Sequence, residues 1–186
     1  MKQLYFVTFL LFILTATACK TQHFYRQEEY SFYQKNFPLP DTALLRTDGV
    51  YVLDVIRTGD TARTIASADR QIYKFYPGGQ VNLVLNRYDS LESADDYRDA
   101  FNKRPAGRTL FQGYYKVTGN KLVIQQMSTP RAQFYYSYFR LTPDSIIQVS
   151  STLQGKGTIK ARHYTGNYEA LYRYVPVDGV FVTPNW

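Results

Sequence analysis

The sequence predicts an all-β protein: an antiparallel up-and-down barrel of eight or nine strands with one short helix, a two-sheet sandwich being the alternative. Three observations carry this expectation. The chain holds 18 Tyr and 12 Phe in 186 residues, and aromatic side chains suit a pleated, half-buried surface. Apolar and polar residues alternate as a half-buried strand requires, Val81, Leu83 and Leu85 against Gln80, Asn82 and Asn86. Short turn signals built on Gly, Pro, Asn and Asp separate the apolar runs along the body of the chain.

The chain opens on an export pattern. Lys2 supplies a positive charge, Leu4 to Leu14 is an almost unbroken apolar run, and Thr15-Ala16-Thr17-Ala18 is small. That combination predicts a secretory signal peptide over residues 1–18, with a core shorter than the roughly 20 apolar residues of a spanning helix. Ala16-Thr17-Ala18-Cys19 resembles the lipobox of bacterial lipoproteins, with Ala16 standing where those proteins usually carry Leu. The resemblance implies cleavage before Cys19, a diacylglyceryl thioether on its sulfur and acylation, as by palmitate, of the new N-terminus. Cys19 is the only cysteine, so the mature domain has no disulfide to form with itself. Two or more acyl chains, at about 0.8 kcal/mol per buried CH₂, anchor a protein stably where one does not. Lys20 stands where the inner-membrane retention signal of enteric bacteria places Asp, which favours the outer membrane.

Residues 19–45 follow as the lipidated cysteine and a lead-in. Pro38 and Pro40 break regular structure, but Phe24, Tyr25, Tyr30, Phe32, Tyr33 and Phe37 are too apolar for a plain linker. They predict a segment packed on the domain, with a short helix between His23 and Lys35. The barrel domain takes residues 46–186. Val50 to Arg57 is its first strand, with Tyr51, Leu53 and Val55 on one face. Gln71–Tyr76 and Gln80–Arg87 form a hairpin around Pro77-Gly78-Gly79. Tyr88 to Arg104 breaks the strand pattern: Ser93 and Asp96 make a capping box, Tyr97 and Phe101 share a helix face, and Pro105-Ala106-Gly107 ends the helix. Strands resume over Thr109–Val117 and Lys121–Gln126 around Thr118-Gly119-Asn120. Gln133–Leu141 and Ile146–Leu153 follow, around Thr142-Pro143-Asp144-Ser145. Thr158–Tyr164 and Glu169–Val175 come last, after a turn at Gly155-Lys156-Gly157.

Three of these stretches resemble the small lipocalin-like lipoproteins of bacterial envelopes. Asp48-Gly49-Val50-Tyr51-Val52-Leu53 is similar to their opening strand, with Gly49-Val50-Tyr51 in place of the Gly-x-Trp of true lipocalins. Tyr73 to Val81 is similar to an early hairpin, and Gly113 to Ile124 to a Gly-x-Tyr hairpin near the middle. The resemblance spans residues 46–175 and implies a lipocalin-like barrel.

Candidate chemistry is sparse. A zinc site wants three or four ligands, and His23 and His163 are the only histidines. No Gly-x-Ser-x-Gly elbow is present. Asp95, Asp96 and Asp99 cluster as helix N-terminal acids do for dipole reasons. Gly155-Lys156-Gly157-Thr158 departs from a phosphate loop in both its leading glycine and its hydroxyl position. The expectation is therefore no catalytic, metal or cofactor site. Net charge is +7 without a dense basic run, which suits a surface beside anionic lipid headgroups and not nucleic acid. The aromatic run Phe134, Tyr135, Tyr136, Ser137, Tyr138, Phe139, with Tyr114 and Tyr115, presents rings on both strand faces. One face can fill the core, and the other predicts a binding surface of Tyr114, Phe134, Tyr135, Tyr136 and Tyr138 unless helix and lead-in cover it. Asp-Thr or Asp-Ser before an aliphatic residue at Thr42, Thr61, Ser90 and Ser145 resembles the acceptor of a bacterial general O-glycosylation system. These features predict a membrane-anchored, non-catalytic carrier barrel for a small apolar or aromatic ligand. The alternative is an accessory subunit of an envelope complex, docking through the aromatic surface. Tyr51, Tyr73, Phe75, Phe111, Tyr115 and Phe139 fall on inward faces, which predicts a crowded interior.

Overall fold

Turn chemistry folds the chain back on itself repeatedly. Tyr76 to Gly79 reverse the chain through a Gly79 N–H donated to the Tyr76 carbonyl at 3.0 Å, and Gly119 takes φ +57° in the tight turn it shares with Asn120, a backbone region that glycine enters without steric cost. The computed structural model describes residues 26–39, 44–86, 91–103, 111–128 and 133–184. The expected signal peptide, Cys19, Thr42, Ser90 and Pro105 to Gly107 lie outside the described residues.

Nine strands result: β1 (Gly49–Thr58), β2 (Thr61–Thr64), β3 (Gln71–Phe75), β4 (Gln80–Leu85), β5 (Gly113–Thr118), β6 (Lys121–Ser128), β7 (Gln133–Thr142), β8 (Ser145–Thr152) and β9 (Tyr168–Pro176). The helix α1 (Ala94–Asn102) sits between β4 and β5. Strands β3 to β9 pair antiparallel in chain order, and β1 pairs with β9 from Gly49 opposite Pro176 to Thr58 opposite Tyr168. That pairing closes eight strands into a barrel, with its shortest seam between β4 and β5, where only Gln80 and Val81 face Tyr114 and Gly113. Strand β2 stands outside the ring, paired with the second half of β1, while β3 takes the first half of the same edge.

The barrel and the capped helix agree with the sequence expectation; four local features do not. The register of β1 against β9 shifts between Leu53 and Val55, a bulge at Asp54 that re-aims the second half of the strand. Ile56, not Val55, therefore joins Tyr51 and Leu53 in the interior. Strand β2 is wholly exposed, so no burial pattern marked it. Thr158 to Tyr164 is no strand: it is a loop ending in a 3-10 turn over Ala161–Tyr164. There the His163 ring stacks on Tyr138 at 4.1 Å, and Ser150 Oγ donates to the His163 carbonyl at 2.7 Å. The lead-in also has only a 3-10 turn, Gln27–Glu29, where the sequence predicts a short helix.

Apolar residues gather in three layers. The interior holds Tyr51, Tyr73, Phe75, Tyr115, Phe139 and Tyr172 with aliphatic neighbours. Outside β5 to β8, Tyr114, Val123, Tyr136, Tyr138 and Val149 are covered by Tyr30 and Phe32 of the lead-in. Outside β1, β3 and β4, Val50, Val52, Ile72 and Val84 are covered by Tyr97 and Phe101 of α1, together with Val177. The expected capping box positions that helix: Asp96 N donates to Ser93 Oγ at 3.2 Å and Ser93 N to the Asp96 carboxylate at 2.9 Å.

Candidate ligand-binding cup at the barrel mouth

The two ends of the barrel differ because the strands carry different residues at their two ends. At the base, inward rings meet edge to face: Tyr51 with Phe75 at 5.6 Å, and Phe75 with Tyr115 at 5.2 Å. Such pairs contribute about 0.5–1.5 kcal/mol each beyond area burial. Phe37 of the lead-in plugs this end against Tyr115 at 4.9 Å. Base phenols find partners: Tyr115 donates to the Tyr76 carbonyl at 2.8 Å, and Tyr51 accepts from Arg46 N at 2.9 Å.

At the opposite end, where β1, β4 and β8 finish and β3, β7 and β9 begin, the interior opens into a cup of about 360 Å³. That volume would hold roughly a dozen waters and falls within the range of small-molecule clefts. Leu53 and Ile56 of β1, Leu83 and Leu85 of β4, and Phe111 make one wall. Tyr135 and Ser137 of β7 with Gln148 and Ser151 of β8 make the facing wall. Gln71, Tyr73, Tyr168 and Tyr172 complete the lining. Hydrogen bonds lock part of it: Tyr172 OH donates to Gln71 Oε1 at 3.0 Å, Tyr135 OH to Gln126 Oε1 at 3.0 Å, and Gln126 Nε2 to the Phe111 carbonyl at 3.0 Å.

The electrostatics are uniform. No charged side chain is among the described residues that line the cup. Burial pushes the Tyr135 phenol up to about 12 and the Tyr73 phenol well above its ordinary value. The neighbouring phenols of Tyr172, Tyr135 and Tyr168 push Tyr73 further the same way. All of these groups stay protonated at neutral pH, so the cup presents neutral hydroxyls and amides opposite an apolar wall.

The aromatic strand singled out in the sequence divides between two environments. Tyr135 lines the cup. Tyr114, Phe134, Tyr136 and Tyr138 point outward and are covered. Tyr30 packs on Tyr114 at 5.0 Å and on Phe134 at 4.9 Å, and Phe32 on Tyr136 at 5.7 Å. Gln125 Oε1 fastens this strap by accepting from Phe32 N at 2.9 Å. Tyr114, Phe134 and Tyr136 are therefore the floor beneath the lead-in, and Tyr138 lies beneath His163 and Tyr164, so these rings are not a free docking face. Thr61 is exposed beside the β1–β2 turn, whereas the Ser145 hydroxyl lies 2.7 Å from Thr142 Oγ1. Among the described residues, no three His, Cys, Asp or Glu gather as metal ligands would. Sequence reasoning missed Gln71, Gln126, Gln148 and Ser137; the available signal was polar residues on the inward register at the mouth ends of strands.

A second cleft, of about 350 Å³, lies outside the base between Lys74, Tyr76 and Phe181. Lys74 is 1 % exposed. Its Nζ donates to the carbonyls of Thr47 at 2.6 Å and Gly49 at 3.2 Å, and sits 3.5 Å from the centre of the Phe181 ring. Burial pulls its ammonium down to about 8.

Fold and site together define a closed eight-stranded antiparallel barrel with an aromatic-packed base and, at its mouth, a cup whose described lining is uncharged. No protein-family model, curated protein or solved structure significantly matches the chain.

Proposed function

We propose that the protein is a non-catalytic binding or carrier module, held at the bacterial cell envelope by acyl chains on Cys19, that takes a small apolar or aromatic ligand into its barrel mouth. The observation that carries the binding reading is the cup itself, a 360 Å³ space with an apolar wall in a barrel whose other half is filled by rings. An interior that merely stabilised the fold would be packed throughout, as protein cores are. The anchoring reading is supported by the charged, apolar and small-residue order of residues 1–18 before a lone cysteine, and Lys20 supports the outer membrane as its address.

Native mass spectrometry of the full chain, gently extracted from its host's membrane, tests both parts. The anchored carrier gives a mass matching cleavage before Cys19 plus acyl chains, and a small noncovalent adduct that is lost on denaturation. Leu85→Trp, which fills the cup from its half-buried rim, removes the adduct and leaves the acyl mass. A wild-type protein with no adduct, or an adduct that survives in Leu85→Trp, overturns the cup as the binding site. An unacylated or uncleaved N-terminus overturns the anchor.

A further inference from the structure

Two hydroxyl side chains stand deep in the cup. Tyr73 and Ser137 line the cavity and are only 3 % and 2 % exposed. Neither hydroxyl has a hydrogen-bond partner among the described residues, although the phenols of Tyr135 and Tyr172 beside them are both engaged. A hydroxyl that faces a cavity instead of a protein partner keeps its donor and acceptor free for whatever fills that space. Both are inward residues next to the packed base: the Tyr73 ring meets Phe139 edge to face at 5.8 Å, and Phe139 is the next inward residue after Ser137 on β7. The two hydroxyls therefore sit at the bottom of the cup, while the half-buried Ile56, Leu85 and Phe111 line its approach.

We infer that the ligand is a neutral molecule bearing a hydroxyl or carbonyl on an apolar or aromatic body, and that it enters polar end first, its oxygen hydrogen-bonded to Tyr73 and Ser137. This rests on the cup being the binding site. A carboxylate or ammonium at the same depth would meet no counter-charge among the described residues, which line the floor with phenol, serine, amide and hydrocarbon. An ion buried without a partner is strongly disfavoured. A wholly apolar ligand would leave both hydroxyls unsatisfied. A site made to hydrogen-bond a substrate oxygen discriminates sharply against the analogue that lacks it.

Equilibrium dialysis of the full protein at pH 7 against naphthalene, 2-naphthol and 2-naphthoate tests this, since the three share one ring system and differ only in the head. The expected order is 2-naphthol tightest, by about tenfold or more over each of the others. In the Tyr73→Phe, Ser137→Ala double variant, 2-naphthol falls to within about twofold of naphthalene while naphthalene is unchanged. The unfolding midpoint of the unliganded double variant stays the same or rises, because neither hydroxyl loses a protein partner; that separates a recognition role from a structural one. Equal binding of naphthalene and 2-naphthol, a preference for 2-naphthoate, or a 2-naphthol preference that survives the double substitution each overturns the inference while leaving the cup intact as a site. Failure of all three probes to bind overturns the cup reading as well.

Discussion

Lys74 gives the fold a distinctive alkaline pH dependence. Its amine, 1 % exposed and with no carboxylate in hydrogen-bond contact, titrates near 8 in the folded protein against about 10.4 in an unfolded chain. Desolvation is the cause: two backbone carbonyls and the Phe181 ring replace water only in part. Between those two values the unfolded chain holds a proton that the folded protein has released. Stability therefore rises with pH across that window and is lowest, as far as this group is concerned, below pH 8. The gain is about 1 kcal/mol from pH 7 to 9 and about 2.5 kcal/mol by pH 10. Buried tyrosines such as Tyr135, pushed up to about 12, act in the opposite sense once unfolded phenols begin to ionise. Lys74→Met leaves those tyrosines in place and removes the amine, so the difference between the two proteins isolates Lys74. Urea denaturation of both at pH 7, 8, 9 and 10 is the assay. The wild type should gain on Lys74→Met by the amounts above, whichever protein is the more stable at pH 7. A difference that stays constant with pH would refute the desolvation argument.

Packing sets two further outcomes. Gly113→Ala would put a methyl carbon 2.4 Å from the Gln125 carbonyl on the paired strand. Overpacking of that kind costs about 1–3 kcal/mol, which thermal denaturation would read; an unchanged midpoint would mean that β5 and β6 lie further apart than this contact requires. Phe32→Ala removes the ring that Tyr136 packs against and that Lys116 Nζ covers at 4.4 Å. A buried Phe lost from a core costs about 3–5 kcal/mol, but a surface strap can peel away, so the global loss is capped by the strap's own docking energy. Amide hydrogen exchange should therefore speed up at Val123 and Tyr136 more than at Tyr51 and Tyr73, and uniform acceleration would contradict a locally detachable strap.

Legible and illegible features of the chain divide along physical lines. Local chemistry is written locally: Ser93 with Asp96 announces a capped helix, Pro77 to Gly79 a hairpin, and the alternation of Val81, Leu83 and Leu85 an inward face, and all three are present in the fold. The crowding of Tyr51, Tyr73, Phe75, Tyr115 and Phe139 inside the barrel was also legible. The bulge at Asp54 was not, because one extra residue swaps which side chain faces inward without altering composition. Lys74 stands on the outer face of β3, and it is buried because the tail carrying Val177 and Phe181 lies over it, which nothing in the β3 sequence encodes. The same holds for the outward rings of β7. Whether they form a docking face or the bed of a strap depends on where residues 26–37 run, which no periodicity in β7 encodes. Gln71, Gln148 and Ser137 come together only when β3 meets the distant β7–β8 hairpin across the barrel mouth.

The path of the strap also sets a direction in space. Tyr30 rests on Phe134 at the start of β7, beside the mouth, whereas Phe37 lies at the base against Tyr115. The described strap therefore runs from a bed of Tyr114 and Phe134 on the outer wall to the plugged base. In the proposed acylated form, Cys19 stands seven residues before Arg26, a reach of at most about 25 Å of extended chain. The leash is short. In that form Arg26, and with it the start of the strap, would stay within that distance of the bilayer surface.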